Sequence, residues 1–256
     1  MSAVILDGKL TAGAIKAELA SKVAELKQRN IHPGLGTLLV GQDPGSLSYV
    51  SGKHRDCEQV GVQSIRIDLP ESASEADIRK AIEDLNSAKE VTGFIVQLPL
   101  PAGIDGNSML ELIDPAKDAD GLHPMNLGKL VMNVSGEINS PMPCTPSGII
   151  ELLRRYDVPL RGAKVAVIGR GLTVGRPLGL MLTRKGVDAT PTLLHSASKN
   201  IEASIAEADI VVAALGSPNF VKPEWIRPGA AVLDVGITRV DSGLVGDVDP
   251  AVAQVA

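Results

Sequence analysis

The stretch Val165-Ala-Val-Ile-Gly-Arg-Gly-Leu-Thr-Val-Gly175 constrains this chain more than any other. An apolar run enters three glycines, and Pro177-Leu-Gly-Leu-Met-Leu182 continues as an apolar helical segment. Such a run fits a strand buried on both faces of a parallel sheet. Glycines in a strand-to-helix turn let the backbone approach a pyrophosphate, and the helix N-terminus favours its negative charge. The spacing is G-x-G-x-x-x-G, one residue longer than the common dinucleotide fingerprint. A plain strand-to-helix turn would use glycine for geometry alone. The strand before it and the helix after it favour the nucleotide.

Residues beyond the glycine turn point to the kind of nucleotide. An NAD site usually carries Asp or Glu about 20 residues on, bonding the ribose 2′-hydroxyl. The next expected strand, residues 190–194, ends in His195-Ser196-Ala197-Ser198, which holds no carboxylate. Arg170 lies inside the glycine turn. Its planar fork suits a phosphate bidentately, and the combination favours NADP over NAD. A solvated loop arginine is the alternative for Arg170, and Arg176 has a weaker claim.

Composition narrows the rest. The 256 residues fit one large domain or two of ordinary size. Hydrophobic residues at 44% supply a core, and charged residues at 21% argue against disorder. The net charge of −5, without a basic block, disfavours nucleic acid. No apolar run reaches the ~18 residues of a membrane span. The N-terminal stretch from Met1 to Lys9 meets charge too soon for a signal peptide. Cys57 and Cys144 lie far apart, so no disulfide framework is expected and a cytoplasmic location is the default. His32, His54, His123 and His195 show no ligand spacing, and no metal is expected.

Periodicity predicts helices over residues 11–28, from a Ser46 cap to about 60, 74–87, 110–113 and 147–156. It predicts strands over 34–41, 63–69, 93–101, 164–168, 190–194, 210–215 and 230–236. Residues 114–121 read as a loop, and the three prolines within 137–146 as a junction. The alternation predicts two α/β domains: a parallel-sheet N-terminal catalytic domain over 1–140 and a Rossmann-type NADP-binding domain over 141–256. A cleft between them, at strand C-termini, is where a ligand is expected.

Five residues could carry chemistry. Tyr49 and Lys53 stand four apart on one helix face, just after the first strand. A half-buried tyrosine beside a lysine that reaches to solvent fits the same spacing. Gln97 is an amide in an apolar strand, so it needs partners, and backbone alone could supply them. Asp118 and Asp120 sit in Lys117-Asp-Ala-Asp-Gly-Leu122, where a turn-capping aspartate is the ordinary explanation.

Together these segments resemble the bifunctional methylenetetrahydrofolate dehydrogenase/methenyltetrahydrofolate cyclohydrolase family. The resemblance spans nearly the whole chain. It rests on Ser46-Leu-Ser-Tyr-Val-Ser-Gly-Lys53, Gly93-Phe-Ile-Val-Gln-Leu-Pro-Leu-Pro101, Lys117 to Leu122, Pro143-Cys-Thr-Pro-Ser-Gly148 and Gly169-Arg-Gly-Leu-Thr-Val-Gly-Arg-Pro177. Val235-Gly-Ile237 and Val245-Gly-Asp-Val248 add to these. The resemblance implies that Lys53 is the central catalytic residue, with Tyr49 and Gln97 beside it, and that Asp120 binds the folate head group. It implies an NADP site lined by Gly169, Arg170, Gly171, Ser196 and Ile237, tetrahydrofolate derivatives as substrates, and a homodimer. Two departures stand out. The family commonly has serine where this chain has Gly171, and it continues past the position of Ala256 with a glycine- and proline-rich segment and a final helix.

A short-chain dehydrogenase also uses a Tyr-x-x-x-Lys pair, but there the pair follows the glycine motif. Here it precedes it. A non-catalytic NADP-binding sensor would keep the glycine turn and have no need of Lys53, Gln97 and Asp120 together.

Overall fold

A computed structural model describes residues 3–240 and 243–256; Met1 and Ser2 of the N-terminal stretch lie outside the described residues. The chain divides into two compact units. One comprises residues 8–128 with 139–142; the other comprises the described residues before Gly8, 129–138 and 143–256.

The first unit is built on three parallel strands: β1 (Gly34–Val40), β2 (Gln63–Leu69) and β3 (Gly93–Val96), in the order β2-β1-β3. β1 is central, and Leu38, Leu39 and Val40 along it are buried. Helices α1 (Gly8–Gln28), α2 (Pro44–Val60), α3 (Glu75–Ser87) and α4 (Gly106–Leu110) belong to this unit, and α5 (Pro124–Met132) begins in it. α3 opens with a reciprocal cap between Ser74 and Asp77, and Ile78, Ile82 and Leu85 form its buried stripe.

Four expectations shift. The cap of α2 is Asp43, not Ser46: its Oδ2 accepts the Ser46 N–H at 2.7 Å, and Pro44 occupies the first turn, where no N–H is needed. β3 stops at Val96 rather than running to 101; Pro99 and Pro101 bring no N–H to a ladder. α4 starts at Gly106 because Asp105 caps it, accepting from Asn107 N and Ser108 Oγ. On α1, Val23 is buried but Leu19 is 42% exposed, so the apolar stripe is only partly covered.

The second unit carries a four-stranded parallel sheet, ordered β5-β4-β6-β7: β4 (Lys164–Ile168), β5 (Thr190–Leu194), β6 (Ile210–Ala213) and β7 (Ala231–Asp234). α6 (Cys144–Arg155), α7 (Gly175–Leu182) and α8 (Ile201–Ala206) accompany it. α6 begins earlier than expected because Pro146 falls in its first turn, where proline is tolerated. Beneath the sheet Ile168, Leu194, Ile205, Val211 and Val221 share one core. An antiparallel hairpin, β8 (Ile237–Val240) with β9 (Gly243–Gly246), follows β7 and is not anticipated from periodicity. Its strands are four residues long and glycine-bounded, too short for an alternation signal. Among the described residues no helix is long and apolar enough to cross a membrane.

Candidate active site

In the first unit, α2 leaves the carboxyl end of β1 and brings Tyr49 and Lys53 onto one face. β3 ends one residue before Gln97, whose N–H still donates to Leu38 O at 2.9 Å. Gln97 therefore sits just past the strand rather than inside it. Lys53 Nζ donates to Gln97 Oε1 at 2.9 Å, while Gln97 Nε2 donates to Leu98 O at 2.7 Å. The backbone carbonyl fixes the amide so that its oxygen faces the ammonium. Lys53 Nζ also stands 5.8 Å from the centre of the Tyr49 ring, within cation–π range. Tyr49 itself is 55% exposed, leaving its ring available to a ligand.

The loop bearing the two aspartates is fastened beside β3. Phe94 N donates to Lys117 O at 2.8 Å, and Ala119 N to Phe94 O at 3.2 Å. Asp118 is buried and fully engaged: its carboxylate accepts Leu122 N at 3.2 Å, His123 N at 2.8 Å and Asn126 Nδ2 at 2.9 Å. It is the turn cap. Asp120, two residues on, has no hydrogen-bond donor among the described residues and stays unspent. Burial pushes its carboxyl up from the ordinary aspartate value; nearby Lys53 opposes this and Asp118 adds to it. Lys53, Gln97 and Asp120 thus converge on one edge of the first sheet, with Tyr49 beside them. Such a set can grip a ligand with adjacent donors, stack on its rings and move a proton at an amine.

In the second unit, the β4–α7 turn is tightly built. Gly169 has φ 123°, and a Cβ there would lie 2.1 Å from Ala214 O. A Cβ on Gly175 would lie 2.1 Å from Gly169 O. Both positions need glycine for close approach. Gly171 meets nothing within 4 Å and leaves the turn open above it. α7 starts without a side-chain cap hydrogen bond; Arg176 N donates to Gly171 O at 3.1 Å, folding the glycine turn back on the helix start. Arg170 and Ser196 are exposed. The register Ile168↔Leu194 sets the glycine turn abreast of the 195–198 turn. That turn is held by His195 N donating to Ser198 Oγ at 3.0 Å and Ala197 N donating to His195 Nδ1 at 3.2 Å. Ile237 opens β8 and is 53% exposed. A glycine cradle at a helix start, an exposed arginine within it and a neighbouring 195–198 turn that holds no carboxylate fit a phosphorylated dinucleotide.

Sequence reasoning leaves Asp234 and Asp247 without a role. Asp247, fully buried, accepts backbone N–H from Leu215, Gly216 and Ser217. The signal that could have found them is the pair of glycines, Gly236 and Gly246, on which a Cβ would lie 1.8 Å from a carboxylate oxygen of Asp247 and of Asp234 respectively.

Comparison with known proteins agrees with this geometry. Residues 6–120 match the family model for the tetrahydrofolate dehydrogenase/cyclohydrolase catalytic domain, and residues 143–256 that for its NAD(P)-binding domain. A structure of the bifunctional methylenetetrahydrofolate dehydrogenase/cyclohydrolase from Campylobacter jejuni is 37% identical with a TM-score of 0.92, covering 98% of this chain and 88% of that one. The enzyme from Trypanosoma brucei, solved with NADP cofactor and an inhibitor, is 39% identical with a TM-score of 0.92, covering 99% and 88%. A methylenetetrahydrofolate dehydrogenase from the silkworm Bombyx mori is 35% identical with a TM-score of 0.91, covering 99% and 89%. A two-domain α/β chain with these matches over nearly all its length belongs to the tetrahydrofolate dehydrogenase/cyclohydrolase family.

Proposed function

We propose that the chain oxidises 5,10-methylenetetrahydrofolate to 5,10-methenyltetrahydrofolate with NADP and then hydrolyses the product to 10-formyltetrahydrofolate. The observation that carries this is the Lys53–Gln97 hydrogen bond with the unspent Asp120 beside it, within the part of the chain that matches the catalytic family model. We assign residues 1–140 to folate and 141–256 to NADP, an assignment supported by the family models over 6–120 and 143–256.

Asp120 anchors the reduced pterin, whose amino group and ring N–H lie side by side; two carboxylate oxygens match two donors. Tyr49 stacks against the ligand's rings. Gly169, Arg170, Gly171, Ser196 and Ile237 hold NADP, with Arg170 at the 2′-phosphate. When bound, NADP takes up the hydride released from the methylene bridge. That step needs positioning more than acid or base. Opening the methenyl ring needs proton transfer, and Lys53 supplies it at its amine. Gln97 orients that amine without adding charge.

Both activities are tested by incubating the protein with 5,10-methylenetetrahydrofolate and NADP. Methenyl absorbance should rise and then decay as 10-formyltetrahydrofolate forms. Binding of NADP with neither reaction would instead favour a non-catalytic sensor. The enzyme works as a homodimer in the cytoplasm on this reading. Sedimentation at assay concentrations checks the dimer, and a monomer there would remove it.

A further inference from the structure

Asp247 is a fully buried carboxylate in the second unit that the proposed reactions do not use. Its Oδ2 accepts Leu215 N at 2.7 Å and Gly216 N at 3.0 Å, and its Oδ1 accepts Ser217 N at 2.7 Å. Three successive N–H groups converging on one carboxylate form a backbone anion nest, and Gly216, at φ 68°, supplies the left-handed residue. The nest follows β6 directly, and Ala214, the residue before it, is the one whose carbonyl lies against Gly169. The loop that Asp247 grips is therefore the wall behind the glycine turn.

The same residue ties down the hairpin. Asp247 N donates to Asp234 Oδ1 at 2.8 Å, and Val248 N to Asp234 Oδ2 at 3.2 Å. Asn219 N donates to Gly246 O at 3.0 Å, and Val221 N to Asp247 O at 3.0 Å. Gly236 and Gly246 admit the two carboxylates at distances that no side chain would allow. Ile237 follows Gly236 at once, so its place is set by where this clasp seats the hairpin.

We propose that Asp247, with Asp234, is a positioning pair for the dinucleotide site: it fills the 215–217 nest from within and fixes the glycine turn's wall and the Ile237 hairpin as one piece. Asp247 touches no ligand and acts only through these backbone groups. The inference rests on the reading of the glycine turn as the NADP site.

The test measures NADP affinity and both activities for Asp247→Asn and Gly236→Ala. Asparagine keeps the size but has one acceptor atom, and its NH₂ would face an N–H of the nest. Alanine at Gly236 keeps the charge and displaces it. Each variant should raise the Kd and KM for NADP by roughly ten-fold or more, the scale of losing one charge-assisted bond. The value of kcat at saturating NADP should fall much less. Hydrolysis of 5,10-methenyltetrahydrofolate without nucleotide, a property of the first unit, should stay within about two-fold. Unchanged NADP affinity in both variants overturns the proposal. So does parallel loss of both activities, which marks a merely structural role. If Asp247→Asn does not fold, Gly236→Ala alone decides. Should the parent protein itself fail to bind NADP, the site reading fails, and the clasp with it.

Discussion

Two aspartates separated by one residue illustrate how burial and partners divide roles. Asp118 spends its carboxylate on two backbone N–H groups and an amide, while Asp120 is held without a donor. Asp118→Ala would leave the N–H groups of Leu122 and His123 unpaired. It should lower unfolding stability by roughly 2–4 kcal/mol, measured by urea titration. Asp120→Asn should behave in the opposite sense. The carboxyl of Asp120 is raised in the folded state, mainly by burial, so its stabilising contribution is present at acid pH and is lost as pH rises through the folded value. Replacing it should therefore raise the melting temperature at neutral pH and change it little in strong acid, while folate binding collapses. A variant that binds folate normally would remove the pterin-anchor role. For the parent enzyme, folate affinity should fall on acidification at a higher pH than for an ordinary aspartate. The cations make separate predictions. Lys53→Met should reduce hydrolysis of the methenyl compound by roughly 10²-fold or more, the usual scale for acid–base catalysis, and impair hydride transfer less. Arg170→Ala should weaken NADP about ten-fold or more and leave NAD little changed, as expected for one charge-assisted contact. Equal losses for both nucleotides would detach Arg170 from the 2′-phosphate.

At the scale of elements, the legible features are those with a period or a turn residue. All seven parallel strands begin within one residue of where the sequence pattern places them: interior strands such as β1, β4 and β6 read as continuous hydrophobic stretches, and β2, at a sheet edge, as an alternation. Ends are less legible. The α2 cap falls on Asp43 because three polar or turn-forming residues compete there and only the fold decides which faces the helix. The hairpin β8–β9 escapes because its strands lack length, and α8 because its six residues hold too few turns for a stripe. In the site, residue types and spacing expose Tyr49, Lys53 and the glycine turn. Pairing could not be read: that Gln97 turns its oxygen to Lys53 depends on a contact between residues 44 apart in the chain, and that Asp118 caps the turn depends on which of two neighbouring carboxylates faces the N–H groups of Leu122 and His123. Asp247 is invisible for the same reason, since its partners lie some 30 residues upstream.

For the whole molecule, the parallel sheets have a kinetic consequence. No two neighbouring strands of either sheet are joined by a tight hairpin; every pairing waits for a crossover segment to close. Closing such loops loses chain entropy before the pairing returns any contact energy, which is the condition for slow folding. β1 is paired on both sides in its sheet, so that sheet cannot form until β1 is in place; in the other sheet β4 and β6 both hold interior positions. While β1 waits, Leu38, Leu39 and Val40 are uncovered on a chain that has not yet found β2 or β3. The yield of folded protein on dilution from denaturant should therefore fall as protein concentration rises, through encounters between such uncovered strands rather than any weakness of the finished fold.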